Sequence, residues 1–434
     1  MTYQETLHYM YTRLPMFSRI GADAIKTDIT NTVLLCERIG NPQLSFPSVH
    51  IAGTNGKGSV SHMLAAVFQT AGYKTGLYTS PHLKDFRERI KIDGSMIPED
   101  FVTGFIQNIQ PAIEELSPSF FEITVAMAFD FFASQQVDIA IIETGLGGRL
   151  DSTNIITPRL SVITNVGWDH MNILGDTLQK IAFEKAGIIK KGVPVVVGQH
   201  ADETYAVFEK KAAEEQAPLS FADAKRRVTG WTYDKHQLVA EVTKLHTDDK
   251  QYFHLDLPGL YQTKNLITVL EALAVLKQQG WLIQDGHIEK ALHQVKRLTG
   301  LHGRWETIRE HPAIIADVAH NADGIREVVA QLEVMTYRNL SVVIGMVKDK
   351  EIDKVLELLP KGAHYFFTRA QIERALPELQ LAEAGSRHGL KGHYYPDVNT
   401  AIRAALAQAD KDDTLLVCGS VFIVGEIDPQ KFAS

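Results

Sequence analysis

One short run constrains this chain more than any other: Gly53-Thr54-Asn55-Gly56-Lys57-Gly58-Ser59. It follows an apolar β-type run, Val49-His50-Ile51-Ala52. It opens a stretch in which Val60, Leu64, Val67 and Phe68 fall on one face of a helix. A strand, a glycine-rich turn and a helix start are the context a phosphate-binding loop needs. Glycines let the backbone curl so that successive N–H groups point at an anion. The helix start adds the positive end of its dipole. Lys57 is placed to reach the outer phosphates and Ser59 to face a metal–phosphate group. The standard pattern sets Lys directly before Ser or Thr, and here Gly58 intervenes. The bland alternative is a strand-to-helix turn with a surface lysine. Strand, lysine and hydroxyl together favour nucleotide binding over it.

Beyond the loop, short β-rich runs alternate with helical patterns. Buried-strand candidates are Thr75 to Tyr78, Val137 to Ile142, Leu160 to Val166 and Val193 to Val197. Continuous apolar runs of this kind fit a parallel sheet covered on both faces, so the reading is a doubly wound α/β domain. The pattern loosens from about Glu203 to Leu257, which suggests antiparallel strands or an insertion. Helical stretches follow at Asn265 to Leu276 and Ile288 to Leu298. Two glycines in the polar stretch Thr299 to Arg304 suggest a linker. After it the alternation restarts, with strands expected at Ala313 to Asp317, Leu340 to Ile344, His364 to Phe367 and Thr414 to Cys418, and a helix at Ile325 to Leu332. The expected organisation is residues 1–298, a linker at 299–305, and a smaller α/β domain at 306–434.

Composition narrows the class. A chain of 434 residues is long enough for two domains. Its 44 basic and 52 acidic residues leave a net charge of −8, which disfavours nucleic acid and anionic membranes as partners. The cluster Lys225-Arg226-Arg227 reads as solvated surface. Cys36 and Cys418 form no zinc spacing and read as buried thiols in a reducing compartment. The first residues lack a signal-peptide pattern, and no apolar run approaches a membrane span of about 20 residues. The expectation is a cytoplasmic protein.

Four further residues carry possible chemistry. Glu143 ends an apolar strand and precedes Thr144-Gly145-Leu146-Gly147-Gly148-Arg149-Leu150-Asp151. Ligands of open α/β sheets bind beyond the carboxyl ends of the strands, so Glu143 is placed to meet Mg²⁺ beside a nucleotide. His170 lies at a similar edge, in Asn165-Val166-Gly167-Trp168-Asp169-His170. Taken alone it reads as hydrogen-bonded structure, and imidazole is an unusual Mg²⁺ ligand. Lys185 lies in a helix end stopped by Gly187 and, alone, reads as a solvated charge favoured by the helix dipole. Ser80, in Thr79-Ser80-Pro81-His82-Leu83, reads alone as a turn serine before proline.

The order of these motifs, with Phe86-Arg87-Glu88-Arg89-Ile90 after Ser-Pro-His-Leu, closely resembles the folylpolyglutamate synthase and dihydrofolate synthase family of the Mur-type ligases. The resemblance runs from about Phe46 to Glu426. It implies a P-loop ATPase-like first domain that binds ATP and pterin and a smaller Rossmann-like domain on the glutamate side. It implies ATP contacts at Thr54, Asn55, Gly56, Lys57, Gly58, Ser59, Asn265, Arg304 and Asp317. It implies two Mg²⁺ ions held by Ser59, Ser80, Glu143, His170 and, if carbamylated, Lys185. Lys57, His170, Lys185 and His320 take catalytic roles in it. The substrate side would comprise Ser80, His82, Phe121, Glu122, Ile123, Thr124, Leu150, Asp151, Ser152, His320 and Asn321. Val318 and Ala322 stand where the family usually has Gly and Pro, and Gly419-Ser420-Val421-Phe422 where Gly-Ser-Leu-Tyr is common.

The resemblance implies a ligase that activates a pteroate or folate carboxylate as an acyl phosphate and couples it to L-glutamate. A bifunctional enzyme, working as a monomer on small molecules alone, is the expectation. The rivals are a Mur-type ligase acting on cell-wall peptides and a P-loop kinase or switch. The Ser-Pro-His-Leu and Phe-x-Glu-Arg-Ile segment argues against the first. The chain has no Asn-Lys-x-Asp guanine motif to support a GTPase switch.

Overall fold

The computed structural model describes residues 1–16, 21, 28–234 and 236–432. The chain divides into two compact units. The first comprises Met1–Gly167, Met171–Asp256 and Gln262–Leu301; the second comprises Trp168–His170, Leu257–Tyr261 and His302–Ser434.

The first unit is built on an eight-stranded sheet. Its strands are β1 (Ser48–Ala52), β2 (Thr75–Tyr78), β3 (Ile90–Ile92), β4 (Ser95–Met96), β5 (Ile139–Glu143), β6 (Leu160–Ile163), β7 (Val195–Val197) and β8 (Leu219–Phe221). Their order is β4-β3-β2-β5-β1-β6-β7-β8. All pairs from β2 to β8 are parallel, and the hairpin of β3 and β4 adds antiparallel strands at one edge. Every residue of β1, β2, β5, β6 and β7 is buried, as strands covered on both faces require. The region of loosened pattern resolves into the helix Asp202–Glu214, strand β8 and an antiparallel sheet of β9 (Arg226–Asp234), β10 (Gln237–Lys244) and β11 (Lys250–Leu255).

The second unit carries a six-stranded sheet in the order β12-β13-β17-β14-β15-β16. Its strands are β12 (Glu306–Glu310), β13 (Ala313–Ala316), β14 (Leu340–Ile344), β15 (His364–Phe367), β16 (Lys391–Tyr394) and β17 (Thr414–Cys418). Only β12 runs antiparallel to its neighbour. Ile325, Val328 and Leu332 of the helix Ala322–Glu333 join the core of this sheet.

Several local expectations need correcting. The helix after the glycine-rich run, Lys57–Thr70, is buried from Gly58 through Phe68 on every face, not along one stripe. The expected helix from Ile288 to Leu298 is two pieces, Asp285–Leu292 and Val295–Thr299. Arg226 is not a free surface charge, because its guanidinium pairs with the carboxylate of Glu271. Both cysteines are buried thiols. Among the described residues no helix is long and apolar enough to cross a membrane.

Gly187 caps the helix Leu178–Ala186 but with right-handed geometry, φ −61°, so a left-handed cap is not why glycine stands there. The reason is space: a Cβ at this position would lie 2.3 Å from Cβ of Arg149 and 2.4 Å from its Cα. The loop after β5 presses on the helix end at this point, with Arg149 N–H donating to the Glu184 carbonyl at 2.7 Å. Gly187→Ala is expected to destabilise the protein by about 1–3 kcal/mol, the usual scale of overpacking. Urea unfolding followed by circular dichroism would measure it, and an unchanged midpoint would contradict this account.

Candidate functional site

Strand register brings the first group of residues together. Ile51 of β1 pairs with Glu143 of β5, and Ala52 pairs with Ile163 of β6. The segments that leave these strands, Gly53–Ser59, Glu143–Gly148 and Thr164–Gly167, therefore emerge side by side at the carboxyl edge of the sheet.

The glycine-rich loop is pinned by the segment after β6. Thr54 N–H donates to the Asn165 carbonyl at 3.1 Å, and Asn55 N–H to Asn165 Oδ1 at 2.9 Å. Thr164 Oγ1 donates to the Asn55 carbonyl at 2.6 Å. Thr54 Oγ1 donates to the Gly167 carbonyl and accepts from Gly167 N–H. Two glycines are required here. Gly53 lies at φ +154° with Thr164 Oγ1 only 1.8 Å from where a Cβ would be, and Gly56 lies at φ +83° with Asn265 Oδ1 at 2.3 Å. Gly56 is the N-cap of the helix Lys57–Thr70, so the first-turn N–H groups of this helix have no carbonyl partner within it. Lys57 Nζ donates to the carbonyls of Gly53 at 3.1 Å and Thr54 at 3.4 Å, which keeps the cation over the loop.

Behind the loop runs a buried polar chain. Gln262 Nε2 donates to Ser59 Oγ at 3.1 Å, and Asn265 Nδ2 donates to Gln262 Oε1 at 2.8 Å. Ser59, Gln262 and Asn265 are all buried. The sequence pointed to Ser59 and Asn265 but not to the glutamine that joins them.

Glu143 is the last residue of β5 and is 4% exposed, and its Oε2 accepts from Ser80 N–H at 3.3 Å. Lys185, far from being a solvated charge, is 2% exposed. Among the described residues no three His, Cys, Asp or Glu side chains form a metal-holding group. The expected set comprises the hydroxyls of Ser59 and Ser80, the carboxylate of Glu143, the imidazole of His170 and, only as a carbamate, Lys185. Its hard oxygen donors suit Mg²⁺, which takes few ligands from protein and the rest from phosphate and water. Ser59, Ser80 and Glu143 fit that ion; the imidazole of His170, with Lys350 Nζ 3.2 Å from Nε2, and an uncarbamylated Lys185 do not.

The segments assigned to pterin divide by exposure. In the helix Phe120–Ser134, Ile123 and Thr124 are fully buried. Glu122 forms a capping box with Ser119, its Oε2 accepting from Ser119 N–H at 2.6 Å. Phe121 is half-buried, and its ring packs where a Cβ on Gly145 would stand, 2.5 Å away. Leu150 is exposed and Ser152 is buried. Asp151 is buried and holds the turn after Glu143: Oδ2 accepts from Leu146 N–H at 2.8 Å, and Oδ1 from Thr153 N–H at 3.0 Å and Thr153 Oγ1 at 2.5 Å. Burial raises its carboxyl above the usual range, against these hydrogen bonds. Thr153 Oγ1 in turn accepts from His50 Nε2 at 2.8 Å. His82 accepts at Nδ1 from Arg89 Nε at 2.8 Å.

The second unit gathers another cluster. Asp317 ends β13 and accepts three hydrogen bonds, from Tyr261 OH at 2.7 Å, Trp305 N–H at 2.9 Å and Ala319 N–H at 2.9 Å. Burial raises its carboxyl, with the Arg304 charge opposing. Asn321 caps the helix Ala322–Glu333 through Oδ1. Ala322 is the first residue of that helix, a position where proline is favoured but not needed, so this departure leaves the element intact.

Asp169 lies at the centre of this cluster, and no motif pointed to it. Its Oδ2 accepts from His320 Nε2 at 3.3 Å and Asn321 Nδ2 at 3.1 Å, and its Oδ1 from Lys350 Nζ at 2.5 Å. Burial opposes its charge, yet the His320 hydrogen bond and the charge of Lys350 hold the carboxyl below the usual range. Lys350 Nζ also lies 3.2 Å from His170 Nε2. Burial, opposed by Asp169 and aided by Lys350, pushes His170 down to about 3. Asp169 and Lys350 are 181 positions apart, and nothing local in either stretch signals the other.

Comparison with known proteins is consistent along the whole chain. Residues 51–273 match the family described as Mur ligase middle domain, and residues 303–421 match Mur ligase, glutamate ligase domain. The chain is 34% identical to the dihydrofolate synthase/folylpolyglutamate synthase of Bacillus subtilis, covering 98% of each. It is 31% identical to the folylpolyglutamate synthase of Lacticaseibacillus casei, again covering 98% of each. The fold is similar to that of E. coli FolC in complex with DHPP and ADP, with TM-score 0.84, 28% identity and coverage of 98% and 96%. It is also similar to the Mycobacterium tuberculosis folylpolyglutamate synthase complexed with ADP, with TM-score 0.86, 29% identity and coverage of 99% of each chain.

Two outcomes are expected from the first-unit geometry. Gly56→Ala forces a left-handed alanine against Asn265 and is expected to cost about 1–3 kcal/mol and weaken binding of an ATP analogue, read by thermal shift and calorimetry. Wild-type affinity would contradict the loop account. Burial also pushes His50 and His82 down from 6.5 to about 3, the Arg89 charge adding to the effect at His82. Between these values the unfolded chain binds protons that the folded one does not, so stability falls on acidification below about pH 6.5. The slope is up to about 1.4 kcal/mol per pH unit for each histidine. Urea midpoints at pH 7, 5.5 and 4.5 would show the fall, and it would be shallower in His50→Gln.

Proposed function

The chain belongs to the folylpolyglutamate synthase and dihydrofolate synthase family of the Mur ligases, and on that premise we propose that it joins L-glutamate to a pteroate or folate carboxylate at the expense of ATP. One observation carries this reading to the chemistry: the glycine-rich loop is pinned by Thr164 and Asn165, with Lys57 over it and Glu143 at the adjoining strand end. The arrangement offers N–H groups, a cation and an acidic metal ligand where a nucleoside triphosphate needs them.

A carboxylate and an amine do not condense at neutral pH. In the proposed reaction an oxygen of the acceptor carboxylate attacks the γ-phosphorus of ATP, the β–γ bridging bond breaks and ADP leaves. The glutamate amine then attacks the acyl phosphate carbon. Collapse of the tetrahedral adduct expels phosphate, and the amine gives up a proton. The protein acts by positioning and by stabilising charge. Lys57 and the first-turn N–H groups bind the phosphates. Thr54, Asn55, Gly56, Gly58, Asn265, Arg304 and Asp317 shape the nucleotide's surroundings. Ser59, Ser80 and Glu143 would hold Mg²⁺, which neutralises charge on the transferring phosphoryl group when bound. Lys185 would join them as a carbamate, an acidic form better suited to a cation than the ammonium. Phe121 and His82 present ring surface for a pterin, while Ile123, Thr124 and Glu122 support the helix beneath. His320 and Asn321 serve the glutamate side.

We take the enzyme to be bifunctional, to act as a monomer and to work in the cytoplasm. The test is an acceptor panel with MgATP and L-glutamate. Dihydropteroate and tetrahydrofolate should each give ADP and an amide product in equal amounts, while UDP-linked muramyl acceptors give none. Lys57→Ala is expected to lower kcat by about 100–1,000-fold, the scale for losing one preorganised donor. No acceptor-dependent amide from the wild-type protein would overturn the reading.

A further inference from the structure

Arg89 belongs to the run Phe86-Arg87-Glu88-Arg89-Ile90, yet the reaction as proposed gives it no role. It closes the 3-10 turn Phe86–Arg89 and leads into β3. Its carbonyl accepts from Thr79 N–H at 3.0 Å, and Ile90 pairs with Tyr78 of β2. It therefore sits beside the edge where Ser80 meets Glu143. The residue is 6% exposed, and aromatic rings enclose it. The guanidinium stands over the Phe120 ring at 5.3 Å. Phe86 and Tyr11 each pack on Phe120 with ring centroids 5.8 Å apart.

A charge in such surroundings needs a counter-charge, and arginine is almost never deeply buried unless paired. Arg89 has no acidic partner within the described residues. Its Nε donates to His82 Nδ1 at 2.8 Å, an imidazole rather than a carboxylate. No carboxylate of the described residues lies within ion-pair reach of it, and its Nη atoms find no acceptor there. Glu143 acts on it only from further away. The acids of its own stretch are engaged elsewhere. Asp85 pairs with Arg87 at 2.7 Å, and Glu88 accepts from the N–H groups of Leu83, Lys84 and Asp85. Next to the guanidinium lies the fully buried Tyr78 hydroxyl, which has no hydrogen-bond partner of good geometry. The Nη atoms are not sealed from solvent as that hydroxyl is.

An arginine head only donates, and its planar fork matches a carboxylate with two parallel bonds. A dry, aromatic-walled cation without an anion of its own is half of such a pair. The acceptor can supply the other half, since dihydropteroate carries one carboxylate, the group to be activated. We propose that Arg89 binds the carboxylate of the pteroate acceptor, so that substrate brings the counter-charge which the buried guanidinium lacks in the protein. This inference rests on the ligase reading.

The experiment uses the full chain with Mg²⁺ and a non-hydrolysable ATP analogue, and compares dihydropteroate with its carboxamide by calorimetry. The carboxamide keeps the shape of the acid and removes its charge. Wild-type protein should bind the carboxamide about 10–100-fold more weakly, the scale of a lost charge-assisted hydrogen bond. In Arg89→Gln the two ligands should bind within about threefold of each other, because the partner that tells them apart is gone. Arg89→Lys keeps the charge without the fork and should retain only part of the preference. In both variants KM for dihydropteroate should rise while KM for ATP changes less than about twofold. Equal binding of the two ligands by wild-type protein would overturn the proposal before any variant is made. So would either variant, whichever folds, that keeps the full wild-type preference. Amide formation by a wild-type protein that binds both ligands alike would sink this inference alone. A wild-type protein that binds no acceptor and forms no amide would sink the ligase reading and this inference with it.

Discussion

The first unit depends on one close contact, that between the loop after β1 and the segment after β6. Gly53 has no room for a Cβ because Thr164 Oγ1 occupies the place, and the same hydroxyl donates to the Asn55 carbonyl. Asn165 takes two successive loop N–H groups, one on its carbonyl and one on its side chain. These bonds tie down the start of the loop. The first-turn N–H groups of the helix have no carbonyl partner within it. The helix Lys57–Thr70, buried from Gly58 through Phe68, anchors that turn, so the loop proposed to bind an anion is shaped in advance.

Charge in this protein is local. The chain carries a formal −8, yet the groups proposed to face a polyanion are a lysine over the loop and a set of N–H dipoles at a helix start. Acidic residues near the sites are put to internal tasks. Glu122 caps a helix, Asp151 ties the turn after β5, and Asp317 gathers Tyr261, Trp305 and Ala319. Glu143 keeps one oxygen toward Ser80 N–H at the strand end, where a cation is expected.

Much of the fold was legible because buried parallel strands announce themselves as apolar runs. The strands at Thr75–Tyr78, Leu340–Ile344, His364–Phe367 and Thr414–Cys418 stand where the runs do. Register was not legible, since pairing Ala52 with Ile163 is a long-range fact with no local trace. Asn165, Gln262, Asp169 and Lys350 escaped notice for that reason: each works on a partner far away in the chain. Helix breaks were also hidden. The apolar spacing continues through Ile288 to Leu298, but the backbone stops at Leu292 and restarts at Val295. Lys185 misled in the opposite direction, because a lysine at a helix end is usually wet and this one is buried.

The pinned loop is proposed to pass a phosphoryl group to a carboxylate. Labelling the acceptor carboxylate with ¹⁸O tests it most directly. If an acyl phosphate forms, each turnover with glutamate and ATP moves one labelled oxygen from the acceptor into inorganic phosphate, seen by mass spectrometry. Phosphate free of label, with amide still produced, would contradict it.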